Sequence, residues 1–448
     1  MKKLIIACSF IVLAIGIHIS CNKNKTLEED FSKVLIIGID GAEWEILDDL
    51  LKNNQVPMFL SLIKGGARGP LGTIEPCLSP AIWTTIATGK LPSEHGILGF
   101  DGIPGENMTK LPVSLMRKTK AMWNIISDEG KQVGMVNWWV TWPAEAVNGF
   151  IVSDRVTYSR MEATIQKESV SEYDTYPSQL IKEIENFIEK PNDIGVDVVK
   201  RFMKLSDNEA NKLVSTSNYQ MGHFFPEFKF SHQSDLSTLK IGEYFLKENF
   251  PDLFGIYFSG VDTVSHLYWH FMEPEHFQNL NISPRDIYKF GSVIRNYYIF
   301  MDEAVNRILD SIDDDYSVII VSDHGFGPTG YLPWSGGHGK ITKGAPIAPD
   351  GILIMMGKNI RKGVKLKNAD VFDILPTCLY LMGLPVAKDL QGKVLNNAIS
   401  KQFLRKNPAK FIDTYDDKNS IKEKDLSIRD TQREEEILEK LRSLGYIH

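Results

Sequence analysis

Short apolar runs, most of them rich in β-branched residues, recur along this chain, and helical patterns fill the intervals between them. The runs are Val34–Ile39, Val133–Val136, Leu253–Phe258, Ser317–Val321 and Gly351–Met356, bounded by Gly, Asp or Pro. A strand apolar on both faces must be covered on both, and strands separated by helices pair in parallel through crossovers. Helical spacing is read at Met122–Glu129, Leu236–Asn249, Val293–Ile312 and Val371–Met382. The pattern predicts an α/β fold with a largely parallel central sheet flanked by helices. From about residue 155 to 235 the rhythm breaks. That stretch is charged, with helical spacing at Gln179–Glu189 and Val196–Leu205 and no strong strand, and it is expected to be a helical cap insertion. The body of the protein is expected over 33–400 and a charged tail over 401–448, with a last short helix at Glu434–Leu444.

The first residues read as a targeting segment. Lys2 and Lys3 precede an apolar run from Leu4 to Ile17, which suits a signal-peptide core and is short for a membrane span of about 20 residues. Cys21 then precedes the polar Asn22-Lys23-Asn24-Lys25. This resembles a bacterial lipoprotein signal over 1–20, with Cys21 lipidated as the first mature residue and 21–32 as a linker. His18 stands where that pattern usually has an aliphatic residue, and a cleaved soluble signal or an uncleaved anchor are the alternatives. All three place the remaining chain outside the cytoplasm, as a periplasmic or outer-surface protein of the cell envelope. Removal of Lys2 and Lys3 takes the formal charge from −7 to −9.

A weakly acidic chain without a basic block is a poor partner for nucleic-acid phosphates, so no nucleic-acid binding is expected. The chain has 4 Cys, none of them in a CxxC pair, which supports neither a disulfide scaffold nor a zinc finger.

Chemistry gathers at the strand ends, where ligands bind in open α/β sheets. Asp40 closes Ile37-Gly38-Ile39-Asp40, and Asp262 follows Phe258-Ser259-Gly260-Val261 with His266 one helical turn later. Asp323 and His324 close Ile320-Val321-Ser322, and His338 follows in Gly336-Gly337-His338-Gly339. One Asp after a strand is commonly a helix cap. Three Asp and three His in such places instead supply oxygen and nitrogen donors for two divalent ions such as Zn2+, with Mn2+ possible. Ser79 precedes Pro80 at the start of a helical run to about Thr88, so its oxygen stands at the positive end of a helix dipole. Ser-Pro is also an ordinary helix start, and only the surrounding donors favour a nucleophile. Trp138, Trp139 and Trp142 follow a strand and are candidates to stack on a substrate's leaving group, with core packing the competing reading.

The ordered set Asp40, Ser79-Pro80, Thr88-Gly89, His95-Gly96-Ile97, Asp262-x-x-x-His266, Asp323-His324-Gly325 and His338 resembles the type I phosphodiesterase/nucleotide pyrophosphatase branch of the alkaline phosphatase superfamily. Asp373-Ile374-Leu375-Pro376-Thr377 and Gly383-Leu384-Pro385 extend the likeness to about residues 33 to 396. The resemblance implies an alkaline-phosphatase-like catalytic domain with one metal on Asp262, His266 and His338. It implies a second on Asp40, Asp323 and His324, with the Ser79 oxygen on or between the metals. It further implies a hydrolase that cleaves phosphodiester or pyrophosphate bonds of small molecules through a phosphoseryl intermediate. His95 is not a ligand in that pattern and reads as a structural histidine.

Two departures point away from nucleotide specificity. The nucleotide-hydrolysing members usually carry Thr where Ser79 stands, and an Asn that Gly99-Phe100-Asp101 does not offer. A sulfatase is disfavoured, because its Cys/Ser-x-Pro-x-Arg signature is absent. The alternatives are a phosphomonoesterase or phosphotransferase on the same site, or a non-catalytic surface lipoprotein. The apolar neighbours of Ser79, Pro80-Ala81-Ile82-Trp83, favour a diester over a dianionic monoester.

Overall fold

The computed structural model describes residues 31–100, 111–158, 171–215, 224–249, 251–278, 280–313, 315–328, 337, 340–341, 346–347 and 349–416. The signal segment, Cys21, His338 and the helix expected at Glu434–Leu444 lie outside the described residues.

Among the described residues ten strands make the main sheet: β1 (Lys33–Ile39), β2 (Ala67–Gly72), β3 (Val133–Val136), β4 (Gly149–Val152), β5 (Thr175–Tyr176), β6 (Leu253–Phe258), β7 (Tyr316–Val321), β8 (Gly351–Met356), β9 (Val364–Lys365) and β10 (Ala369–Asp370). Their order is β9-β2-β8-β7-β1-β6-β3-β4-β5, with β10 also on β2. The central strands β7, β1, β6, β3 and β4 are parallel. β8 runs antiparallel to both β7 and β2, and β5 antiparallel to β4, so the sheet is mixed around a parallel centre.

Every residue of β6 and β7 is buried, as a parallel sheet covered on both faces requires. In β1, Leu35, Ile37 and Ile39 enter one core while Val34 and Ile36 enter the other, the two-residue period of a strand. The first core is completed by α1 (Trp44–Lys52), α2 (Pro57–Gly65), α5 (Phe224–Asn249), α6 (Gly260–Met272) and α7 (Val293–Leu309). The second is completed by α3 (Ser79–Thr88), α4 (Met122–Asp128) and α8 (Ile374–Leu381).

Within 171–215 the chain forms β5 and short helices at Leu180–Ile184, Val196–Phe202 and Asp207–Val214. The helix expected from Leu236 begins at Phe224, because α5 buries the polar run Ser231-His232-Gln233-Ser234-Asp235 and so carries no simple apolar stripe. In the tail, Lys401–Lys406 is helical and Phe411–Ile412 pairs with Val386–Ala387.

Candidate metal centre

The carboxyl ends of β7, β1 and β6 adjoin, and each leads directly into candidate ligands. Asp40 follows β1, its N–H bonded to the Phe258 carbonyl of β6 at 3.0 Å. Asp323 and His324 follow β7. Asp262 lies in the first turn of α6, which starts directly after β6, and His266 stands one turn along the same helix. All five side chains are buried.

The structure brings these groups together in two pairings. His324 Nε2 lies 3.4 Å from Asp40 Oδ1 and 3.4 Å from Asp323 Oδ2. His266 Nε2 lies 3.5 Å from Asp262 Oδ1. Ligand atoms of Asp40, Asp262 and His324 all fall within 4.8 Å of one another, a candidate metal-binding cluster. Two atoms bound to one tetrahedral Zn2+ at about 2.0–2.1 Å stand about 3.3–3.4 Å apart, so the donor separations suit such an ion.

His324 Nδ1 lies 2.9 Å from the Gly325 carbonyl, an acceptor, so Nδ1 carries the hydrogen and Nε2 presents its lone pair to the carboxylates. Burial lowers the His324 pKa, which favours the neutral imidazole. Burial, and next the charges of Asp40 and Asp262, raise the Asp323 carboxyl well above the usual carboxylate range. Asp323 Oδ2 accepts no hydrogen bond among the described residues. Three carboxyl groups buried together are costly to ionise unless a cation offsets their charge.

The supporting shell is drawn from the same elements. Trp83 Nε1 donates to Asp40 Oδ2 at 3.1 Å, and the Tyr257 hydroxyl donates to the same oxygen. Ser322 Oγ accepts from the Ala42 N–H at 2.9 Å and donates to the His324 carbonyl at 2.7 Å, tying the two ligand-bearing turns together. Gly41 has φ +68°, and a Cβ there would lie 2.9 Å from Asp262 Cα, so the turn after Asp40 accommodates only glycine. Asp235, buried on α5, accepts from the Ser259 and Gly260 N–H groups at 3.1 and 3.0 Å and from the Tyr297 hydroxyl at 2.9 Å. It thereby anchors the start of the helix that carries Asp262 and His266.

Ser79 is the first residue of α3, with Leu78 in the cap position, so Ser79 does not serve as the N-cap. Trp83 lies one turn farther along the same face and is the residue of α3 that bonds to Asp40. Burial raises the Cys77 thiol pKa, and the charges of Asp323, Glu75, Asp40 and Asp262 raise it further. His338 lies outside the described residues; its neighbour Gly337 exchanges two 2.9 Å backbone hydrogen bonds with Gly327, three residues beyond His324.

Of the candidate tryptophans, Trp138 and Trp142 are fully buried. Trp138 meets Trp83 edge-on at 5.1 Å, and Trp142 lies under the Arg155 guanidinium at 3.9 Å and donates to Asp174. Protein contacts occupy both rings. Trp139 is half-buried, touches Phe100 edge-on and donates to the Tyr257 hydroxyl at 2.7 Å. Sequence reasoning did not find Trp83, Tyr257, Ser322 or Asp235. Ser79 and Trp83 at i and i+4 was the one spacing that could have shown the first of them.

The family model for type I phosphodiesterase/nucleotide pyrophosphatase matches residues 34–335. No curated protein matches the chain. Among solved structures, murine ectonucleotide pyrophosphatase/phosphodiesterase 5 in an inactive form with AMP is similar at 14% identity and TM-score 0.46, over 82% of this chain and 100% of that one. The phosphonate monoester hydrolase of Silicibacter pomeroyi is similar at 12% identity and TM-score 0.42, over 82% and 76%. A sulfatase from Pseudoalteromonas sp. is similar at 14% identity and TM-score 0.44, over 79% and 68%. Because the matched span contains both the parallel centre of the sheet and the buried Asp–His cluster at the carboxyl ends of its strands, the chain belongs to the type I phosphodiesterase/nucleotide pyrophosphatase family of the alkaline phosphatase superfamily and is a metal-associated hydrolase.

Proposed function

We propose that the protein uses two divalent ions to hydrolyse phosphodiester or pyrophosphate bonds of small molecules, through a phosphoseryl intermediate on Ser79. The observation that carries this reading is the pairing of donors at the carboxyl ends of the central strands, His324 with Asp40 and Asp323 at 3.4 Å and His266 with Asp262 at 3.5 Å. Asp40, Asp323 and His324 would hold one ion. Asp262 and His266 would hold the other together with His338, whose place in the motif assigns it. The mixed N/O donor set favours Zn2+, with Mn2+ second. Such ions supply positive charge that lowers the pKa of a nearby hydroxyl and neutralises charge on the phosphoryl group.

The chain's own groups account for the rest. Ser79 Oγ gives its proton to water and attacks phosphorus in line as the bond to the leaving oxygen breaks, and that oxygen takes a proton back from water. Water then attacks the phosphoserine, the Oγ–P bond breaks, and the serine hydroxyl is restored with release of phosphate or its monoester. The N-terminus of α3 would set its positive dipole end toward the anionic phosphoryl oxygens. The apolar residues after Ser79 support a phosphate that carries a substituent.

The test combines a variant, a trap and a rate comparison. Ser79→Ala is expected to abolish turnover while retaining metal, and acid quenching of the wild type is expected to leave phosphate on Ser79. A nitrophenyl diester is expected to show a higher kcat/KM than the matching monoester. Full activity in Ser79→Ala would overturn the phosphoseryl route, and a clear monoester advantage would replace the diesterase reading with the phosphomonoesterase one.

We also propose that the enzyme is exported and anchored by a lipid on Cys21. The reading is supported by the charged start, the apolar run and the polar linker. Among the described residues no helix is long and apolar enough to cross a membrane. Fatty-acid labelling that is lost in Cys21→Ser tests the anchor, and a mature chain that begins elsewhere would defeat it.

A further inference from the structure

We infer that Trp139, Tyr257 and Trp83 form a directed set of hydrogen-bond donors that fixes Asp40 as a one-oxygen ligand. Tyr257 is thereby a positioning residue for the ion held by Asp40, Asp323 and His324; the inference rests on the two-ion reading above. An indole N–H donates and never accepts. Trp139 donates to the Tyr257 oxygen at 2.7 Å, so that oxygen is an acceptor toward Trp139 and a donor toward Asp40 Oδ2. Trp83 donates to the same Oδ2 at 3.1 Å. With two donors on Oδ2, the carboxylate presents Oδ1, the atom 3.4 Å from His324 Nε2. Asp40 is thus turned to bind through one oxygen rather than to chelate through both.

The backbone is shaped to admit this arrangement. Trp83 and Tyr257 come from α3 and β6 and meet edge-on at 5.0 Å. Gly38 pairs with Tyr257 across the sheet, and a Cβ on it would lie 2.7 Å from the Trp83 ring and 3.3 Å from the Tyr257 ring. Only glycine leaves room for both rings to reach the next ligand along β1. Trp139, the outermost member, is half-buried, so the set runs from a half-buried residue inward to Asp40. Partners that orient a ligating carboxylate typically change metal affinity by about 10- to 100-fold when removed.

The experiment uses the full chain stripped of metal. Zn2+ affinity is measured by competition with a chromophoric chelator, stoichiometry by elemental analysis, and unfolding temperature in the metal-free state. The wild type is expected to bind two ions. Tyr257→Phe keeps the ring and removes only the hydroxyl. It is expected to weaken one ion by at least about tenfold, to leave the other at wild-type affinity, and to leave the metal-free unfolding temperature unchanged. Asp262→Ala identifies the unaffected ion. Trp139→Phe removes the outer donor from a half-buried position and is expected to weaken the same ion by a smaller factor. Tyr257→Phe with both affinities at or above wild type, or with both weakened alike, would overturn the inference. Should that variant not fold, unchanged affinity in Trp139→Phe overturns it instead. A wild type that binds no second ion would defeat the two-ion reading itself, a separate result.

Discussion

His95 shows how one buried residue is held in a single protonation state. It is buried, with Nδ1 accepting from the Ile97 N–H at 3.2 Å and Nε2 3.1 Å from Thr85 Oγ1. A second proton would have to enter at Nδ1 against that N–H. Burial, and next the Arg117 charge, lower its pKa to about 3. The unfolded chain takes up this proton near pH 6.5. Between about pH 6.5 and pH 3 the unfolded state therefore binds the extra proton and the folded state does not. The stability from this group is complete above pH 6.5 and falls as the pH drops through that window, by at most about 1.4 kcal/mol per pH unit. Asp154 acts in the opposite sense, because burial raises its pKa to about 6, so the folded state holds a proton that the unfolded state releases between about pH 4 and 6. The difference between variant and wild type isolates His95. Urea unfolding of His95→Gln from pH 7 to pH 4 is expected to show a shallower acid loss than wild type. Equal slopes would mean that His95 is not the acid-sensitive group.

At the scale of elements, the start of α6 decides where Asp262 and His266 stand. A Cβ on Gly260 would lie 1.9 Å from the Tyr297 hydroxyl and 2.3 Å from Asp235 Oδ2, the groups that anchor this helix. Gly260→Ala is therefore expected to cost about 3 kcal/mol or more through overpacking and disrupted buried hydrogen bonds. Urea unfolding measures it, and a loss below about 1 kcal/mol would show that the anchor yields.

The same scale explains what the sequence revealed. Leu253–Phe258 and the run ending at Val321 were legible because a doubly covered strand must be apolar throughout, and the acids after them because ligands collect at carboxyl ends. β2 was not legible. Its Ala67-Arg68-Gly69-Pro70-Leu71-Gly72 reads as a turn, and it is a strand because Gly69 alone fits against the Leu366 carbonyl, which would lie 2.6 Å from a Cβ. Trp83 and Tyr257 were hidden for another reason. Large aromatics in apolar surroundings read as packing, and only the fold shows that their polar atoms converge on Asp40.

Over the whole molecule, the metal centre joins parts of the chain that are remote in sequence. The Gly41 N–H lies 3.4 Å from Asp323 Oδ1 across 282 positions. An ion that binds only the folded arrangement stabilises it by mass action, by about 4 kcal/mol at a thousand times its Kd. Chelation is expected to lower the unfolding temperature by several degrees as well as to abolish turnover, and Zn2+ is expected to restore both. Calorimetry with and without chelator checks this, and an unchanged transition in protein shown to have lost its metal would count against the centre.

This separation along the chain also sets an order of events. On the ribosome, Asp40 emerges long before Asp323 and His324 exist, so no shorter nascent segment contains the centre. A chain that crosses a membrane unfolded cannot carry its ions with it. Under the export proposed above, the compartment in which the sheet closes, and not the one in which the chain is made, determines which of the competing divalent ions the enzyme acquires.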